Sequence, residues 1–134
     1  MEKYKFLEHT ADIKFQAFGS TIEKAFENSA LAMFNSMSEE KIKSKIKKKI
    51  KVSGKDNEAL LYNFLEELLF LLDSKNFFLS SAKVRISGFN LEAELQGDSV
   101  KNYETKLDVK AVTYNQMKVE KKGKIWMCQV VVDV

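Results

Sequence analysis

The chain has 134 residues, 45% of them hydrophobic and 31% charged, with a formal net charge of +3. That length and apolar content suit one domain, residues 1–134, with a real core, and so small a charge does not suggest a dedicated nucleic-acid binder, which is normally clearly basic. Cys128 is the only cysteine, which excludes an internal disulfide and fits a reducing compartment, taken here as the cytoplasm.

In chain order, Tyr4 and Phe6, then Ile13, Phe15 and Ala17, alternate with polar residues. This period of two predicts two half-buried strands joined through His9–Asp12. Gly19 ends the second strand, and Ser20 with Glu23 forms a capping box for a helix to about Asn35. Its residues Ile22, Ala25, Phe26, Ser29, Ala30, Met33 and Phe34 fall on one helical face. No charged-then-apolar leader precedes these elements, so secretion is not expected.

From Lys41 to Lys51, seven lysines interleave with Ile42, Ile46 and Ile50. The spacing fits a helix or a strand. The run reads either as a solvated face with snorkelling lysines or as a basic edge for RNA or an acidic partner. It holds no aromatic residue that would stack a base. Asp56 or Asn57 then caps a helix from Glu58 to about Leu72, apolar on most sides and so central to the core. Its charges and length exclude a membrane span.

Beyond Lys75 the period returns to two. Ala82, Val84 and Ile86 predict a strand, Ser87-Gly88 a turn, and Phe89 to Leu95 a second strand closed by Gly97-Asp98. The stretch from Val109 to Val119, a Lys122-Gly123 turn and Ile125–Val134 complete the strands. The predicted fold class is α+β, a single compact domain with two main helices packed on a largely antiparallel β-sheet.

Two acidic sites stand against apolar strand sequence: Asp12, and Asp133 beside Val134. Their side chains and the Val134 carboxylate would form an all-oxygen cluster for a hard divalent cation if the segments meet in space. Otherwise Asp12 caps a turn and Asp133 is a solvated strand end. His9, the only histidine, suits a hydrogen-bonding turn element better than a ligand, because hard cations prefer oxygen. Lys110 reads as an edge residue or a carboxylate partner. Cys128 reads as core. No Gly-rich phosphate loop, nucleophile elbow or Cys/His metal spacing is present, so the residues alone indicate no catalytic apparatus.

Four blocks occur in order: His9-Thr10-Ala11-Asp12-Ile13, Leu60 to Leu69, Val109-Lys110-Ala111-Val112-Thr113-Tyr114, and Asp133-Val134. Together they resemble the archease family across the whole chain. The resemblance implies an accessory protein, not itself an enzyme, that activates the RtcB-type tRNA-splicing RNA ligase by promoting its guanylylation and multiple turnover. It implies a divalent cation, calcium or otherwise magnesium or manganese, held by Asp12, Asp133 and the main-chain carboxylate of Val134. It also implies a role for Lys110 in activating the ligase, with His9 beside the metal. Transfer RNA is then met only through the ligase, and neither membrane nor DNA is an expected partner. The sequence departs from the family pattern at Lys14, where glycine is common, and at Asn115, where histidine is common. A metal-dependent hydrolase or nuclease using the same acids, and an RNA-binding or chaperone-like module using Lys41–Lys51, are the other readings.

Overall fold

The computed structural model describes residues 1–9 and 11–134, so Thr10, within the His9–Asp12 block, lies outside the described residues. The alternating segments form β1 (Tyr4–Leu7) and β2 (Ile13–Gly19), which pair as an antiparallel hairpin. Helix α1 (Ile22–Met37) follows at once. Its cap is Thr21 rather than Ser20: the Thr21 hydroxyl accepts from the Lys24 N–H at 3.1 Å. Gly19 explains the one-residue shift. A Cβ there would collide with the backbone of Lys24 and Ala25, so the strand must end tight against the first helical turn.

The lysine run forms strand β3 (Ile46–Ser53), and Asp56 caps helix α2 (Asn57–Lys75) by accepting from the Ala59 N–H. The helix ends at Asn76, which adopts a left-handed conformation and donates to Leu71 and Leu72 carbonyls, a stop suited to asparagine. Strands β4 (Phe77–Ser87) and β5 (Asn90–Ser99) form a hairpin, as do β6 (Ala111–Lys122) and β7 (Ile125–Asp133). Gly88 and Gly123 supply the positive φ at the two turns, a conformation glycine adopts without steric cost. Gly97-Asp98 does not close a segment, contrary to expectation, because β5 runs through both. Gly97 is instead where β5 passes beneath Phe77 and Phe78, leaving no space for a side chain.

The strands divide into two antiparallel sheets, one ordered β1-β2-β7-β6 and the other β3-β5-β4. Helices α1 and α2 pack on both, and one core joins Phe15, Cys128 and Val130 with Phe26, Phe34, Leu61, Phe64 and Leu91. Full burial of each such large side chain stabilises the fold by about 1.5–3 kcal/mol. Two sheet edges are closed by helix carboxylates. Glu66 and Glu58 of α2 accept from the Val112 and Val119 N–H groups of β6 at 2.9 and 3.1 Å, and Glu27 of α1 accepts from Val84 of β4 at 2.9 Å. These bonds satisfy donors that an unpaired edge would leave bare.

Candidate functional site

Strand register decides which of the candidate residues come together. In the four-stranded sheet, Ile13 of β2 stands opposite Val132 of β7, and Lys14 opposite Val131. Asp12 precedes Ile13 and Asp133 follows Val132, so both aspartates leave the sheet at the same end, beyond the same cross-strand pair. Strand β6 reaches that end as well. Ala111 stands opposite Asp133, and the Lys110 N–H donates to the Asp133 carbonyl at 2.7 Å. Lys110 therefore lies beside the last two residues of the chain. Three segments far apart in sequence thus contribute Asp12, Asp133–Val134 and Lys110 to one end of one sheet.

Exposure differs among them. Asp133 and Lys110 are exposed, whereas Asp12 and Val134 are half-buried. Lys110 makes no ion pair within 4.0 Å among the described residues, which leaves its ammonium available to an incoming anion. His9 is half-buried, and its Nδ1 is buried without a hydrogen-bond partner among the described residues. Ala11, between His9 and Asp12 in the motif, has φ 67°. A non-glycine residue in that region carries strain on the order of 1–2 kcal/mol. The connection that presents Asp12 is therefore held in a conformation that the local sequence does not favour.

Further along β7, on the face that also carries Asp133, the sheet is polar. Gln129, itself buried, accepts from Gln16 at 2.9 Å and donates to the Gln116 carbonyl at 2.7 Å. Lys14 donates to Gln116 Oε1 at 2.7 Å. Gln116 has φ 55° and sits where the β6–β7 register breaks between Thr113 and Lys118. The bulge explains how Gln116 reaches this face, while Tyr114 stacks on Tyr62 of α2 with ring centroids 4.2 Å apart. Asn115 is exposed. A cleft of about 640 Å³ opens on the other side of Lys110, with Asp73, Asn76, Thr105 and Asp108 in its wall. Asp108 is two residues from Lys110 in the chain, whereas Asp73, at the end of α2, is brought to this cleft only by the fold.

Cys128 lies fully buried in the core, and burial pushes its thiol up to about 12. That excludes a thiolate nucleophile in the folded state.

A model of the Archease protein family (MTH1598/TM1083) matches residues 4–134. The chain belongs to the archease family. It is 43% identical to the protein archease of Thermococcus kodakarensis, over 100% of both chains. To that of Methanosarcina mazei it is 38% identical, over 99% of this chain and 97% of the relative. Among solved structures, the solution structure of Methanobacterium thermoautotrophicum protein 1598 superposes with a TM-score of 0.84 at 30% identity, covering 100% of both chains. The crystal structure of a Thermotoga maritima archease, described as a possible chaperone, superposes with a TM-score of 0.68 at 21% identity, over 97% of this chain and 96% of that one. At that identity the second likeness speaks to the fold alone. Family membership accounts for the two helices packed on antiparallel sheets. No helix among the described residues is long and apolar enough to cross a membrane.

Proposed function

We propose that this protein is an accessory factor of an RtcB-type RNA ligase and acts through the Asp12, Asp133, Val134 and Lys110 end of its four-stranded sheet. The observation that carries the reading is the register that delivers these groups, from three distant segments, to one place. Two aspartates and a terminal carboxylate form an all-oxygen donor set, which suits calcium first and magnesium or manganese second. Among the described residues no group of three or more His, Cys, Asp or Glu side chains is arranged to hold a metal. The proposed site therefore needs the Val134 carboxylate, with water or the ligase completing a shell of roughly six to eight oxygens. A bound cation would supply positive charge next to nucleotide phosphates.

The protein's own groups then have separate tasks. Asp12 and Asp133 orient the docking end. Lys110, exposed and without an ion pair among the described residues, meets phosphate or carboxylate groups of the ligase as a point charge. His9, whose Nδ1 has no hydrogen-bond partner among the described residues, would be a turn element of the connection that holds Asp12. The contribution to ligase guanylylation is positioning and electrostatics, without a catalytic cycle in this chain.

The test is metal titration together with single-turnover guanylylation of the partner ligase. Asp12→Ala and Asp133→Ala should each weaken metal binding and activation on the order of 10–100-fold, with the circular dichroism spectrum unchanged. Lys110→Ala should reduce activation while leaving metal affinity intact. Unchanged affinity in both aspartate variants sinks the metal site. Turnover of RNA or nucleotide by the protein alone, with divalent metal, would favour the hydrolase reading instead.

A further inference from the structure

The three-stranded sheet carries a charge pattern that the proposed function does not use. On its outer face, Lys49 and Lys83 flank Glu94 across the strands, and Lys51 and Arg85 flank Glu92. Lys47 stands opposite Gln96 in the next row. The Lys51 and Arg85 groups reach Glu92 at 3.5 and 3.8 Å. Glu92 thus serves two cations, Glu94 stands in register between two more, and β3 is the outer strand of the pattern. Lys47, Lys49 and Lys51 are exposed at every second residue, with no carboxylate strand on their open side.

The backbone there is also open. Among the described residues, the one side chain that hydrogen-bonds the main chain of β3 is Asn63 of α2, which donates to the carbonyl of the strand's last residue, Ser53, at 2.8 Å, and residues 46–52 carry no such bond. This contrasts with β4 and β6, whose edge N–H groups are taken by Glu27, Glu58 and Glu66. On the inner face of β3, Ile46 and Val52 remain half-buried, with Ile50 buried between them. Lysine on an edge strand, Lys48 on the inner face included, guards against pairing with neutral apolar strands. It does not guard against a strand that brings matching carboxylates.

We propose that the open edge of β3 docks an acidic, strand-forming protein segment that alternates carboxylate with apolar residues. Its carboxylates would face Lys47, Lys49 and Lys51, repeating on the open side the arrangement that Glu92 and Glu94 make on the paired side. Its apolar residues would cover Ile46 and Val52, and its backbone would extend the ladder. The face offers an incoming nucleic acid no aromatic residue between the lysines, and two of its rows already contain glutamates. Both features favour a protein strand over a phosphate backbone.

The experiment is a nuclear magnetic resonance titration of the full chain with three probes. These are a peptide alternating glutamate and valine, a peptide of the same composition with all glutamates at one end, and a single-stranded RNA oligonucleotide. The alternating peptide should shift and protect from exchange the amides of residues 46–53. The block peptide should bind at least about five-fold more weakly, because charge alone is screened and main-chain pairing is lost. Changing Lys47, Lys49 and Lys51 together to Gln should weaken the alternating peptide by about ten-fold. Circular dichroism verifies that this variant folds. Equal binding of both peptides, tighter binding of RNA at the same amides, or the absence of any shift in residues 46–53 would each overturn the proposal. The Asp12→Ala variant should bind the alternating peptide as the parent does, which keeps this outcome separate from that of the ligase assay.

Discussion

Strand β6 turns its outer edge toward helix α2, where Glu66 and Glu58 accept the Val112 and Val119 N–H groups. Strand β3 turns its outer edge to solvent behind Lys47, Lys49 and Lys51. Both strands face the same difficulty, a row of unpaired backbone groups. The first solution is internal: glutamate on a neighbouring helix takes the donors, and the edge is lost to any partner. The second is electrostatic: lysine repels generic strands and leaves the donors usable. An edge closed by carboxylates should therefore be read as part of the fold's stability, and an edge lined with lysine as part of its surface chemistry.

Substitutions at the closed edges should have the largest effects. Glu27→Ala leaves the buried Val84 N–H without an acceptor and should cost about 2 kcal/mol in urea unfolding. Glu66→Ala, at a half-buried position, should cost nearer 1 kcal/mol. Single Lys→Gln changes at Lys47, Lys49 or Lys51 should stay within about 0.5 kcal/mol. If a lysine change proves as costly as Glu27→Ala, the two edges do not differ in kind.

A smaller, pH-dependent effect belongs to the approach to the open edge. The Tyr103 hydroxyl donates to Asp98 Oδ2 at 2.7 Å and accepts from the Lys43 N–H at 2.9 Å. The Tyr103 bond, followed by the Ser99 N–H, holds the Asp98 carboxyl below the usual carboxylate range. A lowered folded-state value means that the contribution is present above the unfolded carboxylate pKa and disappears as pH falls through the folded one. Tyr103→Phe should therefore reduce stability at neutral pH and flatten its decline toward acid, as read by unfolding series between pH 7 and about 3. The residues leading into β3 should show faster amide exchange in the same variant.

The smallest effect concerns Cys128. With its thiol buried and pushed up to about 12, it should stay unlabelled by a thiol reagent at about pH 8 until the sheet opens. Glu27→Ala should speed labelling through its loss of stability, whereas Lys47→Gln should not.

Much of the fold was legible because its signals are local. Asp56 capping α2, the glycine turns at Gly88 and Gly123, and the alternation in β2 and β5 each depend on residues a few positions apart. The start of β4 was not legible: Phe77, Phe78 and Leu79 are all buried, so the period of two vanishes where both faces are covered. The helix carboxylates were missed for a different reason. Glu58, Glu66 and Glu27 look like ordinary solvated charges until the topology shows a bare strand edge beside each. At the candidate site, the acids could be named from the sequence and its family resemblance. That Asp12 and Asp133 share one sheet end, and that Lys110 is bonded there through its backbone, depends on pairings more than a hundred residues apart for Asp12. The split into two sheets is equally non-local.

The pairing of β2 with β7 also fixes an order of events during synthesis. Residues 13–19 have their central partner in residues 125–133, so a chain emerging from its amino end must carry Phe15 and Ala17 unsatisfied on one side until almost all of it has been made. The strand pairings of the β3-β5-β4 sheet and the backbone bonds within both helices lie within residues 22–99 and can form first, before β6 and β7 complete the packing of the helices. Contacts between distant segments form slowly because loop closure precedes any gain from them. The acidic end therefore takes shape only once β2 has found β7, a pairing of segments more than a hundred residues apart.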